Sequence, residues 1–481
     1  MREGEREDPG QGRDGLRQIL GKGRWALFLL VLGGIWLHAA DSLVVATVMP
    51  AVVRSLGGIA WTAWAFALYE LGSIVAGALG GYASLRLGLG RGLAGFALLF
   101  ALGCLTSAAA PDMAVLLTGR LLQGLGGGAL LALGHVAITR GYAERHWKLL
   151  FALASTVWGL ASLAGPLVGG LFAESGWWRG AFLVFAAKGL LVGLAAPWLL
   201  RRFGGGGVGG GSAAVPLRSL LLLCLGVLAV ATAGVVESAA WGAASILLGL
   251  LLLVSVPWVD AREAAPILPL RALAAAGAAR SGLAMMLLLS VATPAFLIYG
   301  PLLMIAFHGI GELAAGYAVA FESVAWTLAA IAVGRVGPES EGPYLRLGAF
   351  SILAGLVGIA VFLPLEPFWL VLPWAGLQGG GFGLAYAFIV RRVVTACPDR
   401  ERDHAAGAVA TMQPLGYAIG AAIAGVAANG LGLELTETQA ELTVVTRGLY
   451  LSFVPIGLLG LWAAFHLART QTTRLTAVHK V

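Results

Sequence analysis

Three carboxylate side chains of this sequence fall inside long apolar runs, where a charge is costly. They are Asp41, Glu70 and Glu322, whereas the other 21 of the 24 Asp and Glu residues belong to loops or tails. A charge at the centre of a bilayer costs about 2.5–3.5 kcal/mol, so an acid there usually faces a polar cavity, pairs with a base or takes up a proton. Arg120 lies in another apolar run. This set predicts proton coupling, in which Asp41 and Glu70 exchange protons and Arg120 biases their protonation.

Each of these residues also has a plainer interpretation. Arg120 could form a static buried pair with one carboxylate that only pins helices together. Glu70 could lie near the outer interface, and Glu322 could either bind a cation or carry a second proton. Lys188, a second base within an apolar run, is expected to extend to an interface in preference to pairing with an acid.

Aromatic and polar residues in the same runs predict a substrate cavity. Pro294 and Pro301 interrupt one run around Tyr299, and broken helices near the membrane midplane commonly line substrate sites. His38 shares a helical face with Asp41, one turn away. The residues expected in the cavity wall are His38, Trp158, Tyr299, Trp326 and Gln413. Packing against lipid or at the interface accounts for each aromatic residue about equally well.

The composition of the chain requires a membrane. Of the 481 residues, 59% are hydrophobic and 11% are charged, against about 25% charged residues in soluble domains. The net charge of +7 is spread over Arg-rich loops, so no nucleic-acid partner is expected. The three cysteines suggest neither disulfides nor a metal site, and the sequence has no Gly-x-x-x-x-Gly-Lys-Ser/Thr phosphate loop. We therefore expect a non-enzymatic membrane protein without a cofactor.

Apolar runs long enough to cross a bilayer, about 20 residues each, recur fourteen times. They fall at 25–50, 62–84, 92–110, 113–139, 149–173, 180–200, 218–236, 239–259, 281–306, 313–334, 346–363, 367–390, 404–428 and 448–468. The grouping is six, two and six, and the polar stretch 429–447 is expected to be a solvated loop. The predicted fold is an all-α polytopic membrane protein with fourteen transmembrane helices.

The basic residues predict the orientation of these runs. If the N-terminus is cytoplasmic, 26 of the 31 Lys and Arg residues fall on the cytoplasmic side, as the positive-inside rule requires. An even number of crossings then places both termini there, with polar tails at 1–24 and 469–481. The cytoplasmic membrane of a bacterium is the expected location.

The first six and last six runs form a parallel repeat. Gln123, within Leu-Gln-Gly, is followed 255 residues later by Gln378 in the same tripeptide. The same shift relates Glu144-Arg145 to Asp399-Arg400, Gly165 to Gly420, and Arg91 to Arg346. Two similar six-helix bundles, 25–200 and 281–468, are the architecture of a rocking secondary transporter. The segment 201–280 between them is expected to hold a Gly-rich linker and two additional helices.

Several local motifs resemble the major facilitator superfamily, specifically its fourteen-helix drug:proton antiporter branch. Span five reads Gly159-Leu-Ala-Ser-Leu-Ala-Gly165-Pro166-Leu-Val-Gly169-Gly170, which is similar to the exporter signature of that branch. Span four reads Gly119-Arg120-Leu-Leu-Gln123-Gly124, which resembles the motif whose buried arginine is implicated in proton coupling. Asp41 with Pro50 resembles the first-span aspartate motif, and the likeness covers nearly the whole chain.

The loop after span two departs from the pattern of that family. It reads Gly81-Tyr-Ala-Ser-Leu85-Arg86-Leu-Gly88-Leu-Gly-Arg91, so Leu85 stands where the family has an aspartate. Arg86, Gly88 and Arg91 keep the remaining motif positions and imply a gating role. The missing carboxylate removes the usual latch of the inner gate.

The resemblance implies a proton-coupled antiporter that exports small amphipathic or drug-like molecules by rocker-switch alternating access. A monomer in the lipid bilayer, with protons and an amphipathic small molecule as partners, is expected. Two alternatives remain: a lipid or amphiphile exporter or flippase of the same fold, and a membrane sensor or scaffold that no longer transports.

Overall fold

The structure is a computed structural model that describes residues 25–143, 146–201, 215–264, 266–268, 277–398 and 401–469. Several predicted features lie outside the described residues: the N-terminal tail 1–24, most of the C-terminal tail, the Gly-rich part of the linker, the dipeptides 144–145 and 399–400, and the side chains of 81–85. All regular secondary structure in the described ranges is helical.

Sixteen α-helices are present in this part of the chain. They are α1 (Trp25–Leu56), α2 (Thr62–Leu87), α3 (Leu89–Ala108), α4 (Met113–Gly141), α5 (Trp147–Glu174), α6 (Arg179–Leu199), α7 (Leu217–Thr232), α8 (Ala239–Asp260), α9 (Gly277–Ala292), α10 (Pro294–His308), α11 (Glu312–Val333), α12 (Glu341–Phe362), α13 (Leu372–Ala396), α14 (Arg402–Gly430), α15 (Gln439–Leu451) and α16 (Val454–Arg469). Most begin and end within a few residues of a predicted run, because long apolar stretches leave the backbone no partner except its own carbonyls.

Two of the predicted spans are each built from two helices. Helices α9 and α10 break at Thr293, because Pro294 has no N–H to continue the ladder of hydrogen bonds. Helices α15 and α16 are separated by Ser452 and Phe453. Twelve segments have the length and apolar character that a membrane span needs, and the described ranges place α7, with 16 residues, and α13, with 25, at the other two predicted positions.

The expected solvated loop at 429–447 is wrong in its second half, where α15 begins at Gln439. A capping box starts this helix: the Thr438 side chain accepts from the Glu441 N–H, and the Glu441 side chain accepts from the Thr438 N–H. Leu442 is buried one turn later. Hydropathy missed the helix because its first turns are polar.

The two six-helix halves have the same neighbour relationships. In the first half, α1 packs on α4 and α5, α2 on α4, and α3 on α4 and α6. In the second half, α9 packs on α13 and α14, α11 on α13, and α12 on α13 and α16. The all-α architecture of two parallel bundles with two inserted helices is therefore confirmed.

The repeat does not follow a single shift along the whole chain. A Cβ on Gly103 of α3 would meet the Gln123 N–H, and one on Gly355 of α12 would meet that of Gln378. The glycines lie 252 residues apart and the glutamines 255 apart. The equivalence of Arg91 with Arg346 under a shift of 255 is therefore wrong, because the connection between α12 and α13 is longer than that between α3 and α4.

The halves are joined more closely at one end of the molecule than at the other. We call the end at which α1 finishes the distal end and the opposite one the proximal end. Two seams join the halves, α2 against α14 and α5 against α11. One apolar core runs from the first half into the distal part of the second, whereas the proximal part of the second half has a separate core that takes in Leu71 and Ile74 of α2. The larger core that the two halves share thus lies at the distal end.

The inserted helices α7 and α8 form a hairpin beside the α2/α14 seam. Helix α7 packs on α14 and α2, and α8 packs on α7 with most of its apolar side chains exposed. The Asp260 carboxylate accepts hydrogen bonds from the N–H groups of Ile267 and Leu268, which fixes the proximal end of the hairpin. An Nε2 contact of 2.6 Å joins His404 of α14 to the Pro266 carbonyl.

Candidate functional site

A buried ion pair lies at the centre of the first half. Arg120 Nη1 is 2.5 Å from Asp41 Oδ2 and 2.5 Å from Gln123 Oε1, and its Nε donates to the Ala65 carbonyl at 3.1 Å. Asp41 is 2% exposed and Arg120 is not exposed at all. These contacts join α1, α2 and α4. They stabilise the packing of the three helices, because removing one partner of the pair would leave an uncompensated buried charge. In this conformation Asp41 has the static partner that the plainer interpretation predicts.

Close packing of α2 on α4 positions the residues around the pair. A Cβ on Gly124 would overlap the Tyr69 carbonyl, so only glycine allows this approach. The centroid of the Tyr69 ring lies 4.4 Å from the Arg120 guanidinium carbon. Its hydroxyl is 2.9 Å from His38 Nδ1, and the His38 ring meets the Trp158 ring edge-on, with 5.7 Å between centroids. Predicted cavity residues and the predicted proton site are therefore contiguous.

Glu70 lies next to this cluster and is not part of its hydrogen-bond network. Its side chain is partly exposed, and among the residues that the structure describes it has no hydrogen bond or ion pair. The charges of Arg120 and Asp41 are nevertheless within electrostatic range of its carboxyl group. Glu70 is thus an unpaired acid near Arg120, which is already paired with Asp41.

The second half has a related cluster around Glu322. A Cβ on Gly379 would overlap the Glu322 carbonyl, so Glu322 has the position on α11 that Tyr69 has on α2. Gln378 Nε2 donates to Glu322 Oε1 at 3.1 Å and to the Thr293 carbonyl at 3.1 Å, where α9 and α10 break. Within the described part of the chain Glu322 has no basic partner. Unlike Asp41, it is an acid held only by an amide.

A tyrosine of α14 lies between the acids of the two halves. Glu70 and Glu322 are both within electrostatic range of Tyr417, whose hydroxyl accepts from Gln413 Nε2 at 3.2 Å. Both carboxylates, Tyr417 and Gln413 are partly exposed although their helices are packed inside the protein. We infer from this partial exposure that these residues line an opening between the halves, which we call the crevice.

The remaining predicted cavity residues differ in exposure. Trp326 is partly exposed and stacks on Phe382 with 5.0 Å between centroids, and Trp158 is 45% exposed. Tyr299 is fully buried, so it does not face open space in this conformation. Lys188 lies 3.6 Å from the centroid of the Trp36 ring. No group of three His, Cys, Asp or Glu side chains in the described ranges could hold a metal ion.

The predicted gating residues separate into a loop set and a packing set. Arg86 and Arg91 are exposed at the proximal end, on either side of Gly88, whose φ of 77° favours glycine. Gly165 and Gly169 let α5 pack on α1: a Cβ there would come within 2.9 Å of Leu43 Cβ and 3.0 Å of Thr47 Cβ. Pro166 of the same motif faces Gly316 of α11 across the seam.

Sequence reasoning missed the polar contacts that hold the distal end closed. Arg54 of α1 forms an ion pair with Glu312 at the start of α11. The Glu174 carboxylate of α5 accepts from the Leu313 N–H at 3.1 Å. Asn429 Nδ2 of α14 donates to the Ala60 carbonyl at 2.8 Å. In the sequence, Arg54, Glu174 and Glu312 are loop charges and Asn429 begins a predicted loop, and only the packing of the seams brings these residues to their partners.

A second missed cluster lies at the proximal end of the second half. The Glu341 carboxylate is buried and binds Arg391 at 3.0 Å and Arg392 at 2.9 Å. Arg392 also donates to the Leu467 carbonyl at 2.7 Å. The acid is the first residue of α12 and directly follows a 3₁₀ turn, where the sequence predicted an ordinary loop.

The sequence as a whole matches known transport proteins. A profile described as the Major Facilitator Superfamily matches residues 31–373. The chain belongs to this superfamily. It is 31% identical over 483 residues to a probable multidrug-efflux transporter of Mycobacterium tuberculosis, covering 95% of this chain and 96% of the relative. It is 28% identical over 160 residues, 33% of this chain and 26% of the relative, to the azole resistance protein 1 of Saccharomyces cerevisiae.

Solved structures of other transporters have the same fold. A POT family transporter, PepTSo, superposes with a TM-score of 0.67 at 13% identity and covers 94% of this chain and 98% of its own. A D-xylose-proton symporter superposes with a TM-score of 0.65 at 17% identity, covering 92% and 97%. The superfamily profile and the multidrug-efflux relative show that this major facilitator protein is a transporter in a membrane and not an enzyme.

Proposed function

We propose that this protein is a proton-coupled exporter of small amphipathic, drug-like molecules. Its two halves would expose the crevice alternately to the two sides of the membrane. The observation that carries the proposal is the pair of acids Asp41 and Glu70 beside the buried Arg120 in the first half. The second half adds Glu322, an acid bound only by the Gln378 amide. The similarity to a protein named for multidrug efflux supports the direction of transport and the substrate class.

The charge count of the first half favours a bound proton. Two carboxylates, Asp41 and Glu70, lie within range of one guanidinium, that of Arg120. A low-dielectric environment disfavours an excess charge, so the neutral form of this group carries one proton. Arg120 is bound to Asp41, and the proton therefore belongs on Glu70, which the crevice can reach. Substrate and proton would compete for the crevice in the manner of an antiporter.

The distribution of basic residues supports an orientation for this cycle. The proximal ends of the helices carry most of the Lys and Arg, so the proximal side is assigned to the cytoplasm and both termini lie there. The crevice then faces the cytoplasm and the closed distal end faces outward. In this conformation substrate would enter from inside while Glu70 releases its proton. One chain holds the complete site, so a monomer in a bacterial cytoplasmic membrane suffices.

Substitution of Glu70 tests the coupling. In proteoliposomes with an imposed pH gradient, Glu70→Gln is expected to reduce gradient-driven transport of a lipophilic cation by a factor on the order of a hundred, because an amide cannot release a proton. Substrate exchange without a gradient should continue. Glu237→Gln, which removes an exposed acid at the turn between α7 and α8, is the matched control.

Normal gradient-driven transport by Glu70→Gln would rule out Glu70 as the proton carrier. A panel of cations, neutral drugs and fluorescent lipids in the same vesicles separates drug export from lipid movement. A protein that moved none of these compounds under any gradient would contradict transport altogether.

A cross-link across the distal end tests alternating access. A Cβ on Gly316 of α11 would lie 2.5 Å from Thr47 Oγ1 of α1, a separation that a disulfide can span after slight adjustment. Oxidation of the Thr47→Cys/Gly316→Cys variant should stop transport, and reduction should restore it. Each single variant is the control, and continued transport by the fully oxidised protein would refute movement of the halves at this end.

A further inference from the structure

Two buried hydroxyl groups on α15 have no protein partner. Thr446 and Tyr450 lie four residues apart, on one face of the helix, and neither is exposed. Among the described residues, neither hydroxyl makes a hydrogen bond. On the same helix, Thr443 Oγ1 donates to the Gln439 carbonyl at 2.8 Å, which is the usual way for a helical threonine to be satisfied. The hydroxyl groups of Thr446 and Tyr450 therefore need a hydrogen-bond partner that the described residues do not supply.

These hydroxyls lie between Glu322 and the distal surface. Helix α15 begins at the distal end, so Thr446 is nearer to that surface and Tyr450 is deeper. Tyr450 is within electrostatic range of both Glu322 and Tyr299. Gln378 binds Glu322 and Tyr417 is also near it, and in the part of the chain that the structure describes no basic residue pairs with this acid. A polar row thus leads from α15 to the acid of the second half.

A cleft at the distal surface ends one turn above this row. It encloses about 520 Å³ between the halves and is lined by polar residues of 434–439 and by apolar residues that include Leu302 and Leu442. Leu442 lies one turn before Thr446 on α15, and Leu302 lies three residues after Tyr299 on α10. In this conformation these two leucines stand between the cleft and the buried hydroxyls.

We propose that Thr446 and Tyr450 form a proton path through the second half, which connects Glu322 with the distal surface. Water molecules bridge the two hydroxyls, and each hydroxyl accepts one proton as it donates another, so that its own protonation is unchanged at the end. The net step moves one proton from distal water to the Glu322 carboxylate. Leu302 and Leu442 close the path while the distal ends are together, which prevents a leak into the open crevice.

The path rests on the proposed proton coupling and has its own test. Thr446→Val and Tyr450→Phe each remove a hydroxyl and keep the shape of the side chain. In proteoliposomes, both should slow transport driven by a pH gradient by a factor on the order of ten to a hundred. Substrate exchange at equal pH, which requires no proton transfer, should keep its wild-type rate. Thr443→Val and Tyr317→Phe, which make the same changes away from the row, should behave as wild type.

The two rates distinguish failure of the path from failure of the coupling. If the wild type responds to a pH gradient and both variants respond equally, the path is refuted and the coupling stands. If gradient-driven transport and exchange fall together, the hydroxyls support packing only, and the path is again refuted. If the wild type ignores the pH gradient, both the coupling and the path are wrong.

Discussion

The two halves of this transporter share one packing scheme and use it for different charges. Gly124 and Gly379 each admit a neighbouring helix at the same place, yet the residue beside them is Tyr69 in the first half and Glu322 in the second. Gln123 accepts from a guanidinium in the first half, whereas Gln378 donates to a carboxylate in the second. The two halves therefore share the same helix packing but place different side chains in it. The first half stores a fixed ion pair, and the second holds an acid without a base.

Removing the base of the first half should have the largest effect on stability. Arg120→Ala leaves Asp41 buried without a partner, which costs about 3–5 kcal/mol. Gln378→Ala in the second half removes two hydrogen bonds and should cost about 1–3 kcal/mol. Thermal unfolding of the purified proteins in one detergent measures the difference.

A double variant provides the control for this comparison. Asp41→Asn together with Arg120→Gln removes both charges, so it should recover much of the stability that Arg120→Ala loses. Equal losses for Arg120→Ala and Gln378→Ala would mean that the ion pair is not what distinguishes the halves.

The shared frame predicts a smaller effect that is equal in the two halves. Gly124→Ala and Gly379→Ala each introduce a methyl group against a backbone carbonyl, and overpacking of this kind costs about 1–3 kcal/mol. Gly77→Ala on α2 has open space around its Cβ and should instead be neutral or stabilising. Unfolding temperatures of the three variants test the symmetry, and a clear inequality between Gly124→Ala and Gly379→Ala would break it.

The sequence predicted the frame well, because the physics of a span depends on little beyond apolar length. The places where it failed have polar residues at helix ends. Helix α15 was assigned to a loop because Glu441 and its neighbours are hydrophilic, although they cap the helix. The sequence places Glu341 and Arg392 in loops, whereas the Glu341 carboxylate is buried where α12 packs on α13.

The candidate site could be predicted as a set of residues but not as a set of partners. Asp41 and Glu70 both lie on helices next to α4, and sequence spacing does not specify which of them faces Arg120. That choice depends on the rotation of α1 and α2, which contacts such as that of Gly124 with Tyr69 determine. Tyr299 likewise was placed in the cavity wall from the prolines around it, and helix packing encloses it instead.

The hairpin of α7 and α8 has a consequence for the orientation of the second bundle in the membrane. Two added crossings return the polypeptide to the side that it left, so the second bundle starts from the same side as the first. A single inserted helix would instead have reversed that bundle and placed its basic loops on the opposite side. An insertion made as a pair can accordingly be accommodated beside one seam while both bundles keep their original polarity.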